Sequence, residues 1–153
     1  MLKVLKISST QLNLENTLVN GQCFNWSKIS DDLFKGIFRN YVVVLERLDD
    51  ERVGFMSGPE MDDKTLNEEF LKEYMQIPTV DLDKYYKEWS TKDPKYFKQV
   101  GLSLPGVRCL RQDPWECTIS FICSSNNNIK RIAQLVGALR TNYGSEIKVP
   151  KVI

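Results

Sequence analysis

Five consecutive polar residues, Ser124-Ser125-Asn126-Asn127-Asn128, separate two apolar stretches, and Lys130 and Arg131 follow at once. Adjacent Asn residues disfavour helix because their side chains compete for backbone hydrogen bonds. A carboxamide both donates and accepts. Beside two cations, such groups suit the base edges and phosphates of a nucleic acid. The chain contains no histidine, so imidazole bases, His metal ligands and Ser-His-Asp triads are excluded within it. Its four cysteines are Cys23, Cys109, Cys117 and Cys123. No two of them have the two-residue spacing of a zinc or redox site. No metal and no cofactor is expected, and the thiols read as reduced and mostly buried.

The elements that must position this run carry clear local signals. Asp113-Pro114 with Glu116 supplies a cap, a first-turn proline and a first-turn carboxylate. Trp115, Ile119 and Ile122 then recur at helical spacing beside Phe121. A second helix carries Ile129, Ile132, Ala133, Val136 and Leu139 and ends near Tyr143, where Gly144 can supply a left-handed cap. Upstream, residues 1–57 read mainly as strands. Met1–Lys6 alternates, and Gln22–Trp26, Leu33–Arg39, Tyr41–Arg47 and Arg52–Met56 are short, aromatic or β-branched segments between polar turns. Turns are expected at Arg39-Asn40-Tyr41 and Asp49-Asp50-Glu51, and an antiparallel sheet follows. From Asp62 the period changes. Leu66, Phe70, Leu71, Tyr74 and Met75 form one helical stripe ending before Pro78, and Leu82, Tyr85, Tyr86 and Trp89 form another. Asp93-Pro94 opens a short third helix through Tyr96 and Phe97. Tyr85, Tyr86 and Trp89 could be imagined as a base-stacking platform, but their spacing favours core packing against the sheet. Phe24 and Trp26 read as core on the same grounds.

At 153 residues, 42% apolar and 27% charged, the chain has the composition of a soluble globular protein. No apolar run approaches the ~20 residues that span a membrane, and the start lacks a signal-peptide core. An intracellular product is expected, nuclear in a eukaryotic host. The net charge of +1 conceals an asymmetry: residues 1–90 hold 11 Lys/Arg against 16 Asp/Glu, and residues 91–153 hold 10 against 4. The basic part is the one that carries the Asn run, as expected of a duplex-binding face.

Two segments resemble one family. Ser120-Phe121-Ile122-Cys123-Ser124-Ser125-Asn126-Asn127-Asn128-Ile129 is close to the signature of the eukaryotic-type 8-oxoguanine DNA glycosylases, which excise oxidised guanine from duplex DNA. Gly21-Gln22-Cys23-Phe24-Asn25-Trp26 is similar to that family's G-Q-x-F-x-W segment, in the same relative order. The resemblance implies an α+β fold. A TATA-binding-protein-like antiparallel sheet with packed helices would occupy residues 1–100. The first helices of an all-α helix-hairpin-helix glycosylase domain would occupy residues 101–153. It implies base-excision repair of 8-oxoguanine opposite cytosine with AP-lyase chemistry, and damaged double-stranded DNA as the partner of a monomer that binds no membrane and no metal. The family's catalytic Lys and Asp lie, by the resemblance, roughly a hundred residues beyond Ile153. No catalytic residue is therefore assigned here, and the alternative is a non-catalytic damaged-DNA-binding fragment. Leu104-Pro105-Gly106-Val107 is followed by Arg108-Cys109 and not by the glycine and lysine of the hairpin motif, so it reads as an ordinary turn.

The resemblance also implies site residues. Asn126 and Arg131 match the Asn and Arg that contact the cytosine left unpaired when the lesion is flipped out. Gly21 matches the glycine whose carbonyl accepts the lesion's extra hydrogen. Lys130 belongs to the same face, and Phe121 lines a base pocket or simply packs. Structural roles stand beside these readings. Asn126–Asn128 can be a capping cluster, Arg131 an ion-pair partner, and Asn20-Gly21 a hairpin turn. The family often carries a basic residue where this chain has Asn25, which puts any local ion pair there in question.

Overall fold

The computed structural model describes residues 2–38, 41–58 and 68–147. Strands β1 (Lys3–Lys6), β2 (Trp26–Lys28), β3 (Leu33–Phe38), β4 (Tyr41–Asp49) and β5 (Arg52–Gly58) form one sheet in the order β1-β5-β4-β3-β2. Every pairing is antiparallel. Alternation decides the register: Leu5 lies opposite Val53, and Phe34 opposite Leu45, which in turn faces Phe55. All five side chains are buried in the core. The β4–β5 hairpin turns at Asp50-Glu51 with a register shift between Arg47 and Asp49. The Asp49 carboxylate closes that turn by accepting from the Glu51 backbone N–H at 3.0 Å. The expected turn at Arg39-Asn40-Tyr41, and Leu66 of the first helical stripe, fall wholly or partly outside the described residues.

Helices cover one side. α1 (Leu14–Leu18), which the alternation of the first 57 residues does not announce, is capped by the Asn13 side chain and buries Leu14, Thr17 and Leu18. α2 (Glu68–Tyr74) adds Leu71 and Tyr74, with Met75 just beyond its end. The resulting core joins these residues to Leu5, Phe34, Val43, Leu45, Val53, Phe55 and Trp26. The fold is α+β, as expected.

Four local expectations change. Gln22–Phe24 are not strand: the ladder begins only at Trp26, because Gly21 sits at φ +94° and turns the chain away from the sheet. Trp26 is core, whereas Phe24 is half-buried. Tyr85, Tyr86 and Trp89 lie on α3 (Leu82–Lys92) but do not pack on the sheet. They stack among themselves and against Phe97 of α4 (Phe97–Ser103), which leaves Tyr85 and Trp89 36% and 40% exposed. The Asp93-Pro94 signal is followed by a turn, and that helix starts at Phe97.

The Leu104–Val107 segment is a turn, and it ties the chain together. Gly106 is left-handed, at φ +72°, and a Cβ there would come within 2.6 Å of the Ser9 carbonyl oxygen. The next residue but one, Arg108, is buried. Its guanidinium donates to the Gln11 carbonyl at 2.5 Å, the Val80 carbonyl at 3.0 Å, the Gln76 carbonyl at 3.2 Å and the Gln11 side-chain oxygen at 2.8 Å. Among the described residues no carboxylate pairs with it directly. One side chain thus satisfies the backbone of two segments that are distant from it and from each other in sequence, around Gln11 and over Gln76–Val80.

Candidate functional site

Helices α5 (Pro114–Ser124) and α6 (Ile129–Tyr143) flank the Asn run. Asp113 caps α5, accepting from the backbone N–H groups of Trp115 and Glu116 at 2.9 and 3.1 Å. α6 ends at Gly144, which caps it in an extended conformation and not the left-handed one anticipated. Four residues, Ser125–Asn128, make the break.

The three Asn residues divide the work. Asn127 donates to the carbonyls of Cys123 at 2.9 Å and Ser125 at 3.1 Å, closing the end of α5. Asn128 is the N-cap of α6, accepting from the Arg131 backbone N–H at 2.9 Å. Both therefore have the capping role that composition alone would assign. Asn126 does not. It sits at φ +53°, a left-handed conformation that Asn tolerates, with its side chain exposed and without a hydrogen-bond partner among the described residues. The Arg131 guanidinium has one long contact, to Gln134 Oε1 at 3.4 Å, and Lys130 is exposed with no ion-pair partner among the described residues. Phe121 packs on nothing substantial: it is 76% exposed.

Gly21 is brought to the same place. A Cβ on it would lie 2.7 Å from Ile129 Cδ1 and 3.0 Å from Ile129 Cγ1. Ile129 is the first residue of α6, immediately after Asn128. Two segments about a hundred residues apart in the chain therefore meet, and any side chain at residue 21 would displace Ile129 from this contact.

The rest of the Gly21–Trp26 segment is stapled on both sides, through Gln22, Asn25 and partners on distant segments. On the inner side, the Gln22 amide donates to the carbonyls of Thr17 at 2.6 Å and Arg108 at 2.7 Å and accepts from the Leu110 N–H at 3.0 Å. The Gln112 side chain donates to the Gln22 carbonyl at 2.8 Å. On the outer side, Asn25 Nδ2 donates to the Glu116 carboxylate, and Arg140 Nη1 donates to the Phe24 carbonyl at 2.6 Å. Position 25, where an ion pair was in question, is thus held by an amide–carboxylate hydrogen bond. Glu116 is half-buried, and burial pushes its carboxyl above the usual carboxylate range against the opposing pull of the Asn25 hydrogen bond and the Arg140 charge. Burial likewise pushes the Cys23 thiol up to about 11, against the lowering hydrogen bond from the Asn25 backbone. Glutamine in such a segment is a readable signal for backbone stapling. Arg140, three turns into a helix, offers none.

A cavity of about 640 Å³ opens beside this segment, between Tyr74, Phe38 and Phe70 on one side and Arg111–Glu116 on the other. None of Gly21, Phe121, Asn126, Lys130 or Arg131 lines it. Among the described residues no group of His, Cys, Asp and Glu could hold a metal ion. No helix among them is long and apolar enough to cross a membrane.

With this geometry established, comparison with known proteins is direct. The family described as "8-oxoguanine DNA glycosylase, N-terminal domain" matches residues 4–118. The N-glycosylase/DNA lyase OGG1 of Arabidopsis thaliana is 36% identical over 133 residues, which cover 86% of this chain and 36% of that protein. The N-glycosylase/DNA lyase of Saccharomyces cerevisiae is 33% identical over 151 residues, covering 94% and 39%. Among solved structures, MBOgg1 in complex with a low-affinity DNA ligand superposes with a TM-score of 0.80 at 27% identity, over 98% of this chain and 49% of that one. The Clostridium acetobutylicum 8-oxoguanine glycosylase/lyase, in complex with double-stranded DNA containing cytosine opposite 8-oxoG, gives 0.75 at 27% identity over 97% and 50%. The chain thus spans little more than a third of the length of the curated relatives it matches.

Proposed function

The chain belongs to the 8-oxoguanine DNA glycosylase family, whose N-terminal domain it carries, and from that premise we propose that it contributes to recognition of oxidised guanine opposite cytosine in duplex DNA. In a complete enzyme this recognition serves excision of 8-oxoguanine with AP-lyase activity, as the names of its relatives state for themselves. In this reading a flipped nucleotide leaves an orphaned cytosine. Asn126 offers it a donor and an acceptor, and the Arg131 fork, on the first turn of α6, addresses its acceptors. The Gly21 carbonyl receives the hydrogen that oxidised guanine carries and guanine lacks. Lys130 supplies phosphate attraction, and Phe121 offers an aromatic face to an unstacked base. Helices α5 and α6 open the second, helical domain, and exposed Trp115, Phe121, Ile122 and Tyr143 are apolar surface suited to covering by its further helices. The same reading places the protein in a nucleus, acting as a monomer.

The observation that carries this proposal is the division of labour within the Asn run. Asn127 and Asn128 are consumed by capping, while Asn126, left-handed and without a hydrogen-bond partner among the described residues, stands two residues before the α6 cap and three before Ile129, which meets Gly21. The test is equilibrium binding of the chain to duplexes with 8-oxoguanine opposite each of the four bases. Arg131→Ala should reduce the preference for cytosine over adenine about ten- to a hundredfold, since a bidentate base contact carries roughly 1–3 kcal/mol of discrimination. An equal loss opposite all four bases would make Arg131 a phosphate or structural contact and refute the assignment.

A further inference from the structure

The segment that holds Gly21 has two attachments of different kinds. Its inner attachment, through Gln22, is to the body of the sheet domain and is built from neutral hydrogen bonds. Its outer attachment is to the helix pair and is charged at both points: the Glu116 carboxylate on α5 takes the Asn25 amide, and the Arg140 guanidinium on α6 takes the Phe24 carbonyl at 2.6 Å. Hydrogen bonds to charged groups are stronger than neutral ones. Gly21 is three residues before Phe24 and four before Asn25, so these bonds set how far its backbone stands from α6 and from Asn126.

We propose that Arg140, together with Glu116 and Asn25, is a positioning unit that fixes the spacing between the Gly21 backbone and the Asn126 turn. The proposal rests on the reading that Gly21 and Asn126 belong to one lesion-reading site. The local electrostatics fit it. A half-buried Glu116 next to a neutral Asn25 would lack a compensating charge, and the charge that favours its ionised form is that of Arg140. Neither Arg140 nor Glu116 is asked to touch DNA. They act through the backbone between them.

Cys23 is a built-in reporter of this clamp. It lies within the held segment, is buried, and donates from Sγ to the Leu18 carbonyl at 3.4 Å. In a background with Cys109, Cys117 and Cys123 changed to Ser, thiol labelling of Cys23 measures detachment of the segment without DNA. The ratio of affinities for duplexes containing 8-oxoguanine or guanine opposite cytosine measures positioning. Arg140→Ala should speed labelling about tenfold or more and shrink the affinity ratio by a similar factor. Adding Asn25→Arg should restore both, because it returns a cation to the carboxylate. Arg140 is exposed, so its loss leaves the core intact, and Arg140→Lys, which keeps the charge without the fork, should be intermediate. Unchanged labelling in Arg140→Ala would overturn the clamp. Faster labelling with an unchanged ratio would make Arg140 structural only and overturn the positioning role. Failure of Asn25→Arg to rescue would overturn the part played by the Arg140 charge beside Glu116. A parent chain that binds both duplexes equally would instead refute the lesion-reading site, and with it the positioning role, while the labelling arm still decides the clamp.

Discussion

Gly21→Ala is the substitution whose cost can be built most completely from the geometry. Two terms contribute. An L-residue at φ +94° suffers the clash of its Cβ with its own backbone that makes left-handed conformations cost roughly 1–2 kcal/mol. The new Cβ would also stand 2.7 Å from Ile129 Cδ1, 3.0 Å from Cγ1 and 3.2 Å from Cγ2, well inside the optimal carbon–carbon separation of about 3.5–4.0 Å. Ile129 is 56% exposed and can swing aside, so this second term is limited to a displaced rotamer, of order 0.5–1.5 kcal/mol. The expected destabilisation is therefore about 1.5–3.5 kcal/mol in the native background. With Ile129→Ala the clash disappears and only the backbone term of about 1–2 kcal/mol remains. A double-mutant cycle by urea unfolding should then give a coupling near 1 kcal/mol, in the sense that Ile129→Ala alleviates Gly21→Ala. A cost of Gly21→Ala that is the same in both backgrounds would mean that Gly21 and Ile129 are not in contact. A cost below about 0.5 kcal/mol would mean that residue 21 is not left-handed.

The Asn run should separate under mutation. Asn128→Ala removes a cap and should cost about 1 kcal/mol in urea unfolding, whereas Asn126→Gly suits the left-handed backbone, should cost nothing, and should weaken binding to the duplex with 8-oxoguanine opposite cytosine. Equal stability losses would contradict the division of labour. Arg108→Ala should cost on the order of 3 kcal/mol, because it leaves several carbonyls unsatisfied, and Arg108→Lys should not restore it for want of a fork. Full recovery with Lys would show that charge alone matters. The Cys23 thiol is raised in the fold from 9.0 to about 11, so the folded state favours its neutral form. Its contribution to stability is full below pH 9 and is lost as pH rises through about 11. Alkaline unfolding followed by circular dichroism should move to higher pH in Cys23→Ala, which lacks the titrating thiol, and an unchanged transition would remove Cys23 as its cause.

Much of the fold was legible because its signals are local. Alternation located the strands, helical spacing located the stripes, and Asp113-Pro114 located the start of α5. The misses have one physical source, the override of local pattern by distant partners. Phe24 alternates with Trp26, yet its segment leaves the sheet because Gly21 turns it and Gln22 finds three backbone partners elsewhere. Tyr86 and Trp89 have the spacing of a core stripe, but Phe97 on the next helix claims them first. Arg108 follows an ordinary turn, and its importance lies entirely in carbonyls contributed by Gln11, Gln76 and Val80, which no periodicity encodes. The site was legible in part for the same reason. The unhelical character of the Asn run is visible in the letters, but which of the three Asn is left over is decided by hydrogen bonds.

The charge asymmetry needs the same correction, and it bears on how the interface works. Several of the cations in the basic part are already engaged: Arg108 with carbonyls, Arg111 with Glu73, Lys92 with Glu88, and Arg140 with the Phe24 carbonyl. Lys130 and Arg131 stand beside Asn126 without a carboxylate partner among the described residues. Each neutralised phosphate contributes about 0.9 to the slope of log affinity against log salt. On the reading proposed above, the helix pair would supply a modest share of non-specific attraction, far from the slope of about ten seen when many phosphates are contacted. Affinity and choice would then be carried by different groups. A few cations would bring the duplex to the face, while an uncharged carboxamide, a backbone carbonyl and one planar fork would do the reading, with the stapled Gly21–Trp26 segment keeping them in register. On that reading the residues that set the register, Gly21, Gln22 and Asn128, matter as much to choosing a base as those that touch it.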